Sequence, residues 1–112
     1  MRPMAATQSQ LLNAYAQCAV EHGQFLSEGK WQLNNAVVEK MSTLVEELKA
    51  LTGGDLTPLK VLLCHEIPVV RRCAAGSLLE TNDADAENAL ESMGQGQGIE
   101  SFLARNILNK WR

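Results

Sequence analysis

The chain has 112 residues, 46% of them hydrophobic and 21% charged, a balance that suits one globular domain with one core and excludes a disordered tail. Its formal net charge of −3 lacks the basic footprint with which proteins meet phosphate backbones, so no nucleic acid partner is expected. Only 4% of the residues are aromatic, so the core falls to Leu, Val, Ala, Ile and Met, which suits closely packed helices better than a β-sandwich.

The first predicted helix runs from about Thr7 to Ser27, with Leu12, Tyr15, Ala16, Ala19, Gly23 and Leu26 on one face and Leu11, Cys18, His22 and Phe25 widening it. Gly29 separates it from a second helix, about Lys30 to Leu51, in which Asn34, Val37, Val38, Met41, Leu44, Val45, Leu48 and Leu51 recur at three and four residues. Thr52, Gly53 and Gly54 stop that helix. Asp55 or Thr57 then caps a short third helix that begins near Pro58 and carries Leu59, Leu62 and Leu63.

Pro68 breaks the chain next. Proline ends a helix that runs into it but suits the first position of a new one, so a helix stops near His65 and another restarts at Pro68. The fourth helix buries Val70, Ala74, Ser77 and Leu78, its small residues admit a close neighbour, and it ends near Glu80. Asn82 or Asp83 caps the fifth, with Ala86, Ala89, Leu90 and Met93 inward and Asp83, Asp85 and Glu87 at the positive end of its dipole. Gly94, Gln95, Gly96, Gln97 and Gly98 form a flexible loop, and the sixth helix starts near Ile99 and buries Ile99, Phe102, Leu103, Ile107 and Leu108, with Trp111 at its end. No window alternates as a strand does.

Paired in order, these helices give an all-α fold of about six helices in three stacked antiparallel hairpins, one domain over residues 1–112. In the middle pair, Leu62 and Leu63 followed by Pro68, Val70, Arg71, Arg72, Ala74, Ala75 and Leu78 resemble the HEAT repeat pattern, in which a proline opens the second helix and a valine, an arginine and paired alanines follow. Ile67 stands where that pattern has aspartate. Through Gly29, Asn34, Asn35, His65, Leu108 and Trp111 the chain also resembles a small bacterial family of HEAT-like domains of unknown function. The resemblance implies an α-α superhelix whose second helices line one face; it implies no chemistry.

Cys18, Cys64 and Cys73 are an odd set with no CxxC spacing, which points to packed thiols in a reducing compartment. Polar Gln8, Ser9 and Gln10 follow the amino-terminal stretch, so no secretory signal is expected, and no segment has membrane-spanning length. The expected location is cytoplasmic, with no membrane partner. Cys64, His65 and Glu66 are consecutive and diverge around a helix end, so a thiol with its histidine base is not expected; His65 caps helix-end carbonyls instead. Cys18 and His22 share a helix face, but two ligands do not close a metal site. Glu46 and Glu47 face different sides of a helix, unlike the paired carboxylates of a glycosidase, and the glycines at 94, 96 and 98 lack the strand and lysine of a phosphate loop. No catalytic residue, cofactor or metal is therefore expected.

What remains is surface. The second helices carry Glu39, Glu46 and Glu47, then Arg71 and Arg72, then Arg105. Arg71 suits an internal contact, while Arg72 points outward toward a carboxylate; Asp83, Asp85 and Glu87 make a negative patch elsewhere. Trp31 and Trp111 sit at helix ends, where a ring covers a core edge or anchors a partner. The expected function is a non-catalytic protein-binding module. Its specific version is an immunity-type protein that neutralises a cognate bacterial toxin by occluding a basic site with Glu39, Glu46, Glu47 or the acids at 83, 85 and 87. Its alternatives are a general adaptor or regulatory subunit, a homodimer through the Trp111 end, and an enzyme on a helical-repeat scaffold such as a DNA glycosylase.

Overall fold

Thr7 opens the first element through a reciprocal cap: its hydroxyl accepts the Gln10 N–H at 3.1 Å, and the Gln10 side chain accepts the Thr7 N–H at 2.9 Å. The structure, a computed structural model, describes residues 7–112; the leader reading rests on residues 1–6, outside that range. The described chain is all-α, with helices α1 (Gln8–Glu28), α2 (Trp31–Thr52), α3 (Pro68–Leu78), α4 (Ala84–Gly94) and α5 (Ile99–Trp111). Two 3₁₀ segments, Thr57–Cys64 and Leu79–Thr81, join them. The chain divides into two compact units, Met1–Pro58 and Leu59–Arg112.

In the first unit α1 and α2 form an antiparallel hairpin. Gly29 takes the left-handed conformation at φ 69°, and the Gly29 and Lys30 N–H groups turn back onto the Leu26 and Phe25 carbonyls at 3.2 and 2.9 Å, a full Schellman closure. A residue with a Cβ is strained at that φ. Leu11, Tyr15, Cys18 and Ala19 of α1 are buried, as are Met41, Leu44, Val45 and Leu48 of α2. His22 Nδ1 lies 2.7 Å from Asn34 Oδ1 and donates to it, a polar tie between the two helices.

The third predicted helix is a 3₁₀ segment. Asp55 Oδ1 accepts from both the N–H and the hydroxyl of Thr57, which settles the cap on Asp55, and Leu59 and Leu62 turn inward. With Pro58 near its start and Pro68 just beyond its end, the eight-residue segment has little length for α-helical bonds to propagate, and the tighter ladder takes over. Pro68 holds Ile67 extended at φ −90°, ψ 119° and then starts α3.

In the second unit α3 packs on α4 and α5, and α4 and α5 form a hairpin. Asn82 closes the short 3₁₀ turn at φ 57°, and Asp83 caps α4 by accepting the Ala86 N–H at 3.0 Å. Val70, Ala74, Ala75, Leu78, Ala86, Leu90 and Ala104 are fully buried, and no residue from Val69 to Leu79 is exposed. Small side chains on α3 allow that enclosure. The loop after α4 is pinned as well as glycine-rich: Arg105 donates to the Gly94 carbonyl at 2.5 Å and the Gly96 carbonyl at 3.3 Å. A Cβ at Gly94 would lie 2.9 Å from the Arg105 side chain, so a larger residue there would make that side chain shift from the loop it holds.

Candidate functional site

The predicted surface residues fall into two groups. Glu39, Glu46 and Glu47 are exposed on α2. Glu39 and Glu46 stand seven residues apart and so share a face, with Glu47 one step around the helix. Glu46 pairs with Lys49 at 3.4 Å, an exposed i,i+3 contact of little energetic weight, while Glu39 and Glu47 make no ion pair among the described residues.

The acids of α4 are engaged within the second unit. Lys60 reaches Asp83 at 3.1 Å and Asp85 at 3.0 Å, tying the 3₁₀ segment to the start of α4, and those hydrogen bonds raise the Lys60 pKa. Arg112 pairs with Glu87 at 3.0 Å and with Glu91. Asp83 is also the α4 cap, and its side chain is only 12% exposed. The sequence shows these acids as a patch; the fold closes most of their charge on its own cations.

The arginines are structural too. Arg72 does not point outward: it is 6% exposed, and its Nε donates to Glu100 Oε2 at 2.5 Å. Arg72 lies on the buried side of α3, with Val69 and Ala75. Arg71 makes an internal contact, donating to the His65 and Glu66 carbonyls at 2.6 and 3.2 Å. His65 reverses its expected role, because its Nδ1 accepts the Ile67 N–H at 3.1 Å and leaves carbonyl capping to Arg71. Arg105 holds the α4–α5 loop. Sequence reasoning missed Glu100 and Lys60 as partners, since neither lies near its mate in the chain.

Cys18 is buried, and burial pushes its thiol pKa up. Burial likewise pushes Cys73 up to about 11, with the carboxylate of Glu100 adding to the rise, whereas Cys64 is exposed. High thiol pKa values oppose nucleophilic or ligating roles at neutral pH. Among the described residues no three His, Cys, Asp or Glu side chains gather as metal ligands. No described helix is long and apolar enough to cross a membrane.

At the α1–α2 turn the expected edge packing of Trp31 is absent: the residue is 80% exposed, and Leu26 and Val38 of the same hairpin are 44% and 43% exposed. A hollow of about 180 Å³ lined by Phe25, Leu26, Gly29, Trp31 and Asn34 lies next to it. Trp111 is 40% exposed.

No family model matches the chain, and no curated protein matches it. A solved structure, that of the protein RPA1889 from Rhodopseudomonas palustris CGA009, is similar in fold, with a TM-score of 0.83 and 25% identity over 92% of this chain and 86% of that one.

Proposed function

We propose that the chain is a non-catalytic protein-interaction module of HEAT-like design that binds a basic partner protein through the exposed carboxylates of α2. The observation that carries this reading is the sorting of its acids. Asp83, Asp85, Glu87 and Glu91 are held by Lys60 and Arg112, whereas Glu39 and Glu47 face water with no ion pair among the described residues. Carboxylates left outside internal ion pairs are the ones able to steer and register a partner of opposite sign.

The HEAT-like reading draws on Pro68 at the start of α3 and on Arg71, which spans from α3 to the carbonyls of the preceding turn. Ile67, in place of an aspartate, gives α3 no side-chain cap. The finer version is an immunity-type protein that covers the basic site of a cognate toxin, in a bacterial cytoplasm; the bacterial solved neighbour is in keeping with that source. A general adaptor is the broader version.

The test compares tagged wild-type protein with the Glu39→Lys/Glu46→Lys/Glu47→Lys variant, both expressed in the native host. The reading predicts that one basic protein is retained in stoichiometric amount by the wild type, is released by salt, and is lost with the folded variant. Retention undiminished by the triple reversal contradicts it, and a toxin-like sequence for the retained protein separates the immunity version from the adaptor.

A further inference from the structure

We infer that the turn joining the 3₁₀ segment to α3 is a proton-sensitive latch, closed by His65 while its imidazole is neutral and opened when the ring takes up a proton. His65 Nδ1 accepts the Ile67 N–H at 3.1 Å. A neutral imidazole accepts at one ring nitrogen and donates at the other, so Nε2 carries the hydrogen here; an imidazolium donates at both and accepts at neither. A proton from solvent and the Ile67 N–H thus compete for one lone pair. When the proton takes it, no covalent bond of the chain breaks, and the Ile67 N–H turns to water.

Ile67 is where such a release matters. Its carbonyl accepts the Val70 and Arg71 N–H groups at 3.1 and 3.3 Å, the first bonds of α3, and its side chain gives that helix no cap. The residue from which α3 starts is therefore held at its N–H by His65 alone.

The charges around the turn give an imidazolium no fixed partner. Arg71 of α3 donates to the His65 and Glu66 carbonyls at 2.6 and 3.2 Å, which brings a guanidinium to the same turn, and the positive end of α3 begins at Ile67. The chain neighbours Cys64 and Glu66 are exposed. Of the carboxylates on the helices that pack on α3, Asp83 and Asp85 are held by Lys60, Glu87 and Glu91 by Arg112, and Glu100 by Arg72. Among the described residues none makes an ion pair with His65.

The chain's other histidine has the opposite hydrogen-bond role. His22 donates from Nδ1 to Asn34 Oδ1 at 2.7 Å, a bond that a charged ring keeps. Through its histidines, acid therefore leaves the tie between α1 and α2 in place and acts at the turn before α3.

Nitrogen-15 NMR and amide hydrogen exchange of the full chain between about pH 8 and about pH 5 test this. At the upper pH the His65 ring is expected as the Nε2–H tautomer with the Ile67 N–H protected. At the lower pH the protection factor of Ile67, corrected for the intrinsic pH dependence of exchange, is expected to fall about two- to tenfold, the worth of one hydrogen bond. His65→Asn supplies an oxygen that accepts from the N–H two residues on and does not titrate, so its Ile67 protection should hold at both pH values, while His22→Gln should respond as the wild type does. An Nδ1–H tautomer of His65 at the upper pH, a wild-type protection factor unchanged across the range, or a fall that persists in His65→Asn overturns the inference. None of these results bears on the proposed function, which rests on Glu39, Glu46 and Glu47 of α2.

Discussion

Arg72 and Glu100, twenty-eight residues apart, close on each other inside the second unit, the arginine 8% and the carboxylate 24% exposed at the side chain. The contact ties α3 to α5. Without Glu100 the guanidinium would remain desolvated with no carboxylate to answer it. Glu100→Ala is therefore expected to cost about 2–3 kcal/mol, at the lower end for a broken buried pair because Glu100 retains some solvent. Glu100→Gln, which keeps an acceptor, should cost about half as much. Urea unfolding followed by circular dichroism reads both; a loss under about 0.5 kcal/mol for the alanine variant would place the pair among ordinary surface contacts.

The bridge from Lys60 to Asp83 and Asp85 behaves differently because Lys60 and Asp85 are open to water. Lys60→Met is expected to lower the thermal midpoint at low ionic strength and to be indistinguishable from wild type above about 0.5 M NaCl, where the screening length is only a few ångström. An effect that persists undiminished in high salt would mean that packing by the lysine stem, and not its charge, joins the 3₁₀ segment to α4.

Burial raises the Cys73 thiol from an ordinary 9.0 to about 11. The folded state keeps this proton through an interval in which the unfolded chain has lost it. The stability linked to the thiol is thus fully present below the unfolded value and falls as pH rises toward the folded one, at up to about 1.4 kcal/mol per pH unit. Urea midpoints between about pH 8.5 and 11 should decline for the wild type and less steeply for Cys73→Ala. At pH 8, a thiol reagent should modify Cys64 first in the native protein, since Cys64 is exposed and Cys18 is buried.

Swapping the charges at the α1–α2 turn should stabilise the fold. The exchange puts a lysine at the carboxyl end of α1 and a glutamate at the amino end of α2, each complementing a helix end that the native residue opposes. Glu28→Lys/Lys30→Glu is thus expected to gain about 0.3–1 kcal/mol in dilute solution. The thermal midpoint measures it. A midpoint that does not rise would show that the helix dipoles carry no weight at these two positions.

The elements that sequence patterns expose are those set by local physics. Gly29, Gly53, Pro68 and Asp83 act within a turn of their own positions, and the ends of α1, α2, α3 and α4 follow from them. The segment 57–64 carries apolar spacing that serves an α-helix or a 3₁₀ helix alike, and only the confinement between two prolines decides it. Val69, Val70, Ala74 and Ala75 show that α3 is apolar, but which of its residues are buried depends on what packs around it, and that packing turned Arg72 inward. The same dependence governs the acids: Asp85 and Glu87 read as a free patch until Lys60 and Arg112 arrive from twenty-five residues away. Trp31 could cover an edge or stand free, and the tertiary neighbourhood left it free.

The proposed role of α2, to offer its exposed carboxylates to a basic partner, is tested by native mass spectrometry of the protein drawn intact from its host under low salt. A defined complex with one basic protein is expected, each copy of this chain carrying one partner, that dissociates as salt rises and is absent when Glu39, Glu46 and Glu47 are reversed. Recovery of the chain alone at every salt concentration, or of a complex indifferent to those three residues, would overturn that role.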